Sequence, residues 1–508
     1  MVRIRTLAVV AGAIAQAAMA AGPFVANEAT GRVSERFLGR IPDRVMAAVA
    51  SEDGLHVAYV VQRGSRWLVA IDGRPGLEYD TILQGSMVFS LDGRRFVYAA
   101  GKDNKQFLVV DGRPGPECDG IVEGSMAFSP GGRVAYEARS DNKQTVVIDG
   151  RPGPGYDGIL DVTPVFSPDG RRVAYGAANG DKQLVVVDGQ PEPEYDNIQH
   201  GSLAFSSDSR RVVYVARKGD KQLVVVDGQP GPEYDGLGED NPVFSPDGRR
   251  VAYVAGMDNK WFVAVDREPG PEYDEIGEDS PLLSPDGSRV AYVARKDGKQ
   301  FVVADGRPGP EQDGIVEGSL VFSPNGRRVA YVAQKGDRQL ASMAPVGQCV
   351  VIDSQAGPEF DEVGEGSLVF SPDGRRFAYT AEKNEKQLGV VDGQPGPEYD
   401  GILQGSTVFS PDGSRVAYVA HKGNKWLVVV DGQPGPEYDG ILRGSLAFSP
   451  DSRRVAYVAR EDGKQHVVVN GQPGPECDGI VQGGPTFQPD GSLEYLASRS
   501  DSLYRVKQ

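Results

Sequence analysis

The stretch Val243-Phe244-Ser245-Pro246-Asp247-Gly248-Arg249-Arg250-Val251-Ala252-Tyr253-Val254-Ala255 decides how the whole chain is read, because it is written twelve times. After a short charged turn it continues as Trp261-Phe262-Val263-Ala264-Val265-Asp266, then Pro269-Gly270-Pro271-Glu272-Tyr273-Asp274. The Tyr that closes the Val-Ala-Tyr triplet recurs from Tyr59 to Tyr495, in steps of 39 residues almost throughout. The step is one shorter where Ser-Pro-Gly-Gly replaces Ser-Pro-Asp-Gly at Pro130 to Gly132, one shorter at the last copy, and nine longer between Tyr331 and Tyr379. A fixed period of this size means a solenoid, a propeller or an array, whose units must stack because none buries its own apolar face.

Each unit holds four short strand-like runs. Run A is the pattern at Ser367 to Ser371, run B that at Arg249 to Ala255, run C that at Gln222 to Asp227, and run D that at Pro397 to Ile402. Val, Phe and Tyr bounded by Gly, Pro and Asp favour strands, and the runs are too short for helices. Ser-Pro-Asp-Gly between A and B suits a type I turn. The Lys-Gly-Asp-Lys pattern between B and C signals a tight hairpin. The prolines of run D belong on an edge strand. Run C, almost continuously apolar, suits a strand sandwiched between neighbouring sheets. The expected fold class is all-β: a β-propeller of twelve four-stranded blades.

Residues Phe244 to Tyr253, an aromatic-Ser-Pro-Asp-Gly turn followed by an apolar strand, resemble the repeat of TolB-type, WD40-like bacterial propellers. The resemblance runs from about Ala47 to the C-terminus and implies the propeller fold; propellers of this kind serve as binding scaffolds, enzyme domains and assembly factors. Twelve units instead of six, and the Pro-Gly-Pro-Glu-Tyr-Asp element, set this chain apart from TolB itself. The repeat arithmetic allows two six-bladed rings, residues 21–268 and 269–508, or one large closed ring. Two rings are the expectation, since six to eight blades is the common size.

Residues 1–20 read as a signal peptide. Arg3 and Arg5 precede an apolar stretch from Leu7 to Ala18, and Ala18-Met19-Ala20 offers small residues for cleavage before Ala21. No later run approaches the length of a membrane span. The expected mature protein is therefore periplasmic or secreted. The formal charge is -17, from 71 acidic and 54 basic residues; without Arg3 and Arg5 it is -19. Such a surface repels nucleic-acid phosphate and anionic lipid. Of the three cysteines, Cys118 and Cys477 fill the aromatic position of run D and Cys349 lies in the irregular eighth unit, so no disulfide is expected.

The four histidines, His56, His200, His421 and His466, fall at different repeat positions and set up neither a metal site nor a base beside a nucleophile. No Gly-x-Ser-x-Gly, phosphate-binding loop or His-Glu-x-x-His occurs. The expectation is a non-enzymatic scaffold without cofactor, binding a protein or peptide on the face carrying the D–A and B–C turns. The alternatives are a lyase or hydrolase, or a sugar-binding module.

The D–A loops vary from copy to copy. Blades three, four and six to nine receive Glu123, Asp161, Glu239 with Asp240, Glu278 with Asp279, Glu317 and Glu365, where other blades hold Gln84, His200, Gln404, Arg443 and Gln482. Gathered on a concave rim, these carboxylates would hold a cation or cationic ligand; alternatively they are solvated, or paired with the B–C lysines Lys221, Lys260 and Lys299. Trp67, Trp261 and Trp426 stand where most copies have Gln, as stacking platforms or as filler between blades. The insertion around Ala341 to Gln348 reads as a contact loop or a tolerated insertion. The run D Asp, present in eleven copies from Asp80 to Asp478, reads as a fold device accepting from a backbone N–H.

Overall fold

In the computed structural model the described residues are 45–51, 56–238, 242–278, 280–336, 347–480, 484–499 and 502–507. The expected signal peptide, Glu239, Asp240, Asp279 and most of the insertion at Ala341 to Gln348 lie outside them. Among the described residues every regular element is a β-strand, the strands form twelve antiparallel sheets, and no helix is long and apolar enough to cross a membrane. Two compact units are distinguished: Met1–Gly219 with Val224–Pro230, and Asp220–Leu223 with Gly231–Gln508.

The sixth sheet shows the pattern. Its inner strand comes in two pieces, Gly236–Leu237 and Val243–Phe244, both paired to Val251–Met257. That strand pairs with Lys260–Val265 through a turn in which Asp258 and Asn259 both have positive φ, 51° and 59°. This is the type I′ geometry whose twist matches a hairpin. Glu268–Pro269 then pairs with Val265 and Ala264, and Tyr273 bridges to Trp261. The proline thus lies on the outer edge, where its missing N–H leaves no partner unsatisfied.

Run D is divided between two sheets, which differs from the sequence expectation of one edge strand. Tyr273 still belongs to the sixth sheet, but Glu275–Ile276 pairs with Arg295 and Ala294 in the seventh. Asp274 makes the crossing, its N–H donating to the carbonyl of Arg295 at 2.9 Å. The Asp-Gly-Ile portion therefore begins the next inner strand. The fourth sheet shows this without a break, as one strand Gly158–Phe166.

Within each unit the core lies between consecutive sheets. In the eighth sheet Val329, Tyr331 and Ala333 pack toward Ala291 and Val302 of the seventh, while Ala330 and Val332 pack toward Tyr379 and Ala381 of the ninth. Alternate residues of one strand thus face opposite neighbours. This sandwiching explains why runs B and C are apolar at successive positions. The outer-edge aromatic also meets the next sheet: Tyr273 stands edge-on to Tyr292, at 6.2 Å between ring centroids. Tyr399 with Tyr418 and Tyr438 with Tyr457 repeat the arrangement. These blades define an all-β, β-propeller-type architecture.

Candidate binding surface at the inner turns

In the second, third, fifth and eighth to eleventh sheets the chain makes a four-residue turn between the two pieces of the inner strand. In the third sheet it is Val122-Glu123-Gly124-Ser125, closed by the Ser125 N–H donating to the Val122 carbonyl at 3.3 Å. Gly124 has φ 77°, as the third residue of a type II turn requires. Ser125 Oγ donates to the Val122 carbonyl at 2.7 Å and accepts the Glu137 N–H at 3.0 Å, which pins the turn to strand Val134–Ser140. Ser202, Ser319 and Ser445 repeat this pair of bonds. The variable residue is the second of the turn, directed outward.

The structure places Glu123, Glu317 and Glu365 at this apex, all exposed, with Gln84, Gln404 and Arg443 at the same place in other sheets. Glu278 is exposed at the matching position. Asp161 lies within the strand Gly158–Phe166. The apices run along the inner edges of the sheets, opposite mid-strand residues such as Glu137. The expected grouping with the B–C turns on one end face is therefore corrected: because Asp-Gly-Ile has already joined the new sheet, the D–A connection sits partway along its inner strand.

The apices of the second and third sheets are neighbours, as are those of the ninth and tenth. Gln404 Nε2 donates to the Glu365 carbonyl at 3.4 Å, and a cleft of about 430 Å³ opens between the second and third sheets, lined by Gln84, Ser86, Glu123 and Met126. Among the described residues, no three His, Cys, Asp or Glu side chains are grouped to hold a metal ion. The lysines expected as partners of the rim are engaged elsewhere. Lys221, Lys260 and Lys299 bind the run D aspartates Asp235, Asp274 and Asp313.

That aspartate is the fold device anticipated from its recurrence, and it reaches two sheets. Asp274 Oδ1 takes the Lys260 ammonium at 2.6 Å, while Oδ2 accepts the Asp297 N–H at 2.9 Å from the next hairpin. These bonds, the lysine's first, hold the Asp274 carboxyl below its ordinary value. On the opposite side an arginine links the sheets. Arg289 Nε meets Asp305 Oδ2 at 2.8 Å, its Nη1 donates to the Arg327 carbonyl at 2.6 Å, and its guanidinium lies 5.6 Å from the centre of the Phe322 ring.

The three tryptophans are half-buried between strands. Trp261 lies across the paired glycines Gly236 and Gly256; a Cβ on Gly256 would come within 3.1 Å of its ring. Trp67 packs against the core cluster that holds Tyr79, and Trp426 packs against the one that holds Tyr438 and stands 4.9 Å from His421, centre to centre. Where Gln occupies this position, its Oε1 accepts an N–H of the next inner strand, as Gln106 does from Ile121 at 2.7 Å. The arginines Arg113 and Arg151, which line clefts on the A–B turn side, were not singled out from sequence. The signal was present in Gly131, which stands in place of the usual turn aspartate.

No protein-family model and no curated protein matches the sequence. Among solved structures the chain is similar to a eukaryotic initiation factor at 13% identity, covering 73% of this chain and 90% of that one, with a TM-score of 0.31. It is also similar to TolB from Acinetobacter baumannii, at 16% identity, 54% and 79% coverage and a TM-score of 0.20. A third is the propeller domain of the Trilobed protease from Pyrococcus furiosus, at 14% identity, 62% and 94% coverage and a TM-score of 0.24. At these values the fold assignment rests on the strand pairing itself.

Proposed function

We propose that the protein is an exported, non-enzymatic scaffold, acting in the periplasm or outside the cell, that binds a protein or peptide partner along its inner turns. The observation carrying this reading is the contrast between recurring and variable residues. The recurring Ser, Asp, Lys and Arg side chains are engaged in turns and ties between sheets, while the second residue of the inner turn changes and is exposed in copy after copy. A row of Glu278, Glu317 and Glu365 followed by Gln404 and Arg443 presents a graded charge pattern, suited to a partner with basic side chains at one end.

The test is affinity capture from an envelope extract with the mature protein and with the triple variant Glu278→Gln, Glu317→Gln and Glu365→Gln. A partner retained by the first and lost by the second supports the reading. Equal recovery by both would remove the inner turns from the binding surface. The half-buried seats of Trp67, Trp261 and Trp426 weigh against the sugar-binding alternative.

A further inference from the structure

We propose that the two clefts flanking the third sheet form a binding site for a ligand carrying two oxyanionic groups. The site arises where this copy departs from the others. Most A–B turns carry an aspartate that receives its own serine hydroxyl, as Asp169 does from Ser167 at 2.7 Å. The third sheet has Pro130-Gly131-Gly132 instead and is one residue shorter. One negative charge is thereby missing from this edge. The eighth sheet, with Asn325 at this position, differs in that the amide donates to the Asp373 carbonyl at 2.6 Å.

A cleft of about 690 Å³ lies between the second and third sheets, with Arg95, Arg113 and Arg133 in its wall. A cleft of about 580 Å³ lies between the third and fourth, with Arg133, Arg151 and Arg171. The carboxylates of both are already bonded. Asp111 meets Arg95 at 3.0 Å and the Phe96 N–H at 2.9 Å, Asp149 meets Arg133 at 2.8 Å and the Val134 N–H at 3.0 Å, and Asp188 meets Arg172 at 2.8 Å and the Val173 N–H at 2.9 Å.

Arg113 and Arg151 are exposed and form no ion pair among the described residues. Two uncompensated guanidinium groups thus sit one per cleft, and Arg133 borders both. A guanidinium presents a planar fork that matches carboxylate, sulfate or phosphate oxygens two at a time. A concave wall concentrates the field of such charges even on a chain of net charge -17. A ligand with two oxyanions at a separation spanning Arg133 satisfies both arginines together, which a single anion does not.

The experiment is calorimetric titration of the purified protein at low ionic strength with inorganic tripolyphosphate and with trigalacturonate. The variants are Arg113→Gln, Arg151→Gln, their double variant, and the control Arg74→Gln, the equivalent residue in the first sheet. Binding by either probe, weakened at least tenfold in the double variant and unchanged in Arg74→Gln, supports the site; the probe that binds identifies phosphate or carboxylate as its ligand chemistry. Failure of both probes to bind overturns the proposal. So does an equal loss in Arg74→Gln, which would show attraction by charge in general. Melting curves of the variants, expected to match that of the parent, separate binding from folding.

Discussion

Lys260 and Asp274 meet at 2.6 Å across the mouth of one sheet, and the same carboxylate receives the Asp297 N–H of the next hairpin. One side chain thereby couples two hairpins that share no ladder. Asp119, Asp157 and Asp439 stand in the same double role. Asp274→Asn keeps an acceptor for the backbone but gives up the ion pair, whereas Asp274→Ala gives up both. The alanine variant is expected to lower the melting temperature more than the asparagine variant. Equal losses would show that the lysine alone matters.

Acid should undo these ties. The carboxyls of Asp119, Asp157 and Asp274 are held below their ordinary value chiefly by a lysine, and Asp286 is pushed down to about 2 by Ser284 and by the Ser288 N–H and hydroxyl. A folded value below the unfolded one means the unfolded chain binds more protons in the interval between them. The stabilisation is therefore complete above about pH 4, the unfolded value, and is lost as pH falls through the folded value. Glu137 and Glu192, raised by burial, act in the opposite sense but are outnumbered. Thermal unfolding followed by circular dichroism should give a nearly flat melting temperature from pH 7 to 5 and a fall between about pH 4 and pH 2.

Cys118 occupies the seat that Tyr273 fills in the sixth sheet, buried next to Tyr136. Cys118→Tyr should restore the edge-on aromatic pair, worth roughly 0.5–1.5 kcal/mol beyond area burial. Urea unfolding should show a higher midpoint. A lower one would mean that the third sheet has closed around the smaller residue.

Gly405 stands at φ 74° in an inner turn, with nothing within 4 Å of where a Cβ would lie. Gly405→Ala meets no steric neighbour, so its cost is the left-handed backbone alone, about 1–2 kcal/mol. Gly405→Asn should cost less, because asparagine visits that region routinely. Denaturant titration of the two variants checks the order.

Trp261→Gln replaces an indole lying over Gly256 with the side chain found in most copies. The new Oε1 should accept the Ile276 N–H, as Gln300 does from Ile315 at 2.6 Å. Stability is expected to change by less than about 1.5 kcal/mol, the loss of packing being offset by the hydrogen bond. Tyr292→Ala, which empties a core seat, should cost about 3–5 kcal/mol. Parity between the two would assign Trp261 a core role equal to that of the tyrosine.

The period of Val-Ala-Tyr and the Gly, Pro and Asp punctuation carried the strands, the turns and the sandwiching of run C, since these depend on residues close in sequence. The crossing at Asp274 was not legible, because Pro-Glu-Tyr and Asp-Gly-Ile are contiguous and only tertiary pairing separates them. The same shift moved Glu123 and Glu365 from an end face to an inner edge. The destination of Lys260 was also hidden: a lysine in a hairpin has many carboxylates within a residue or two, and the partner was fixed by the approach of the next sheet.

Because the connections between sheets are made in most copies by side chains at the same offset from their own repeat, whole copies are interchangeable parts. Gain or loss of one 39-residue unit would bring an equivalent lysine to an equivalent aspartate and an equivalent arginine to an equivalent turn. A change of a few residues inside a run would instead slip every downstream contact in that sheet. Length in such a chain is free to vary in full periods, and between them only where paired strands are joined, as in the eighth copy, whose chain is nine residues longer between strands Val329–Lys335 and Gly347–Ile352.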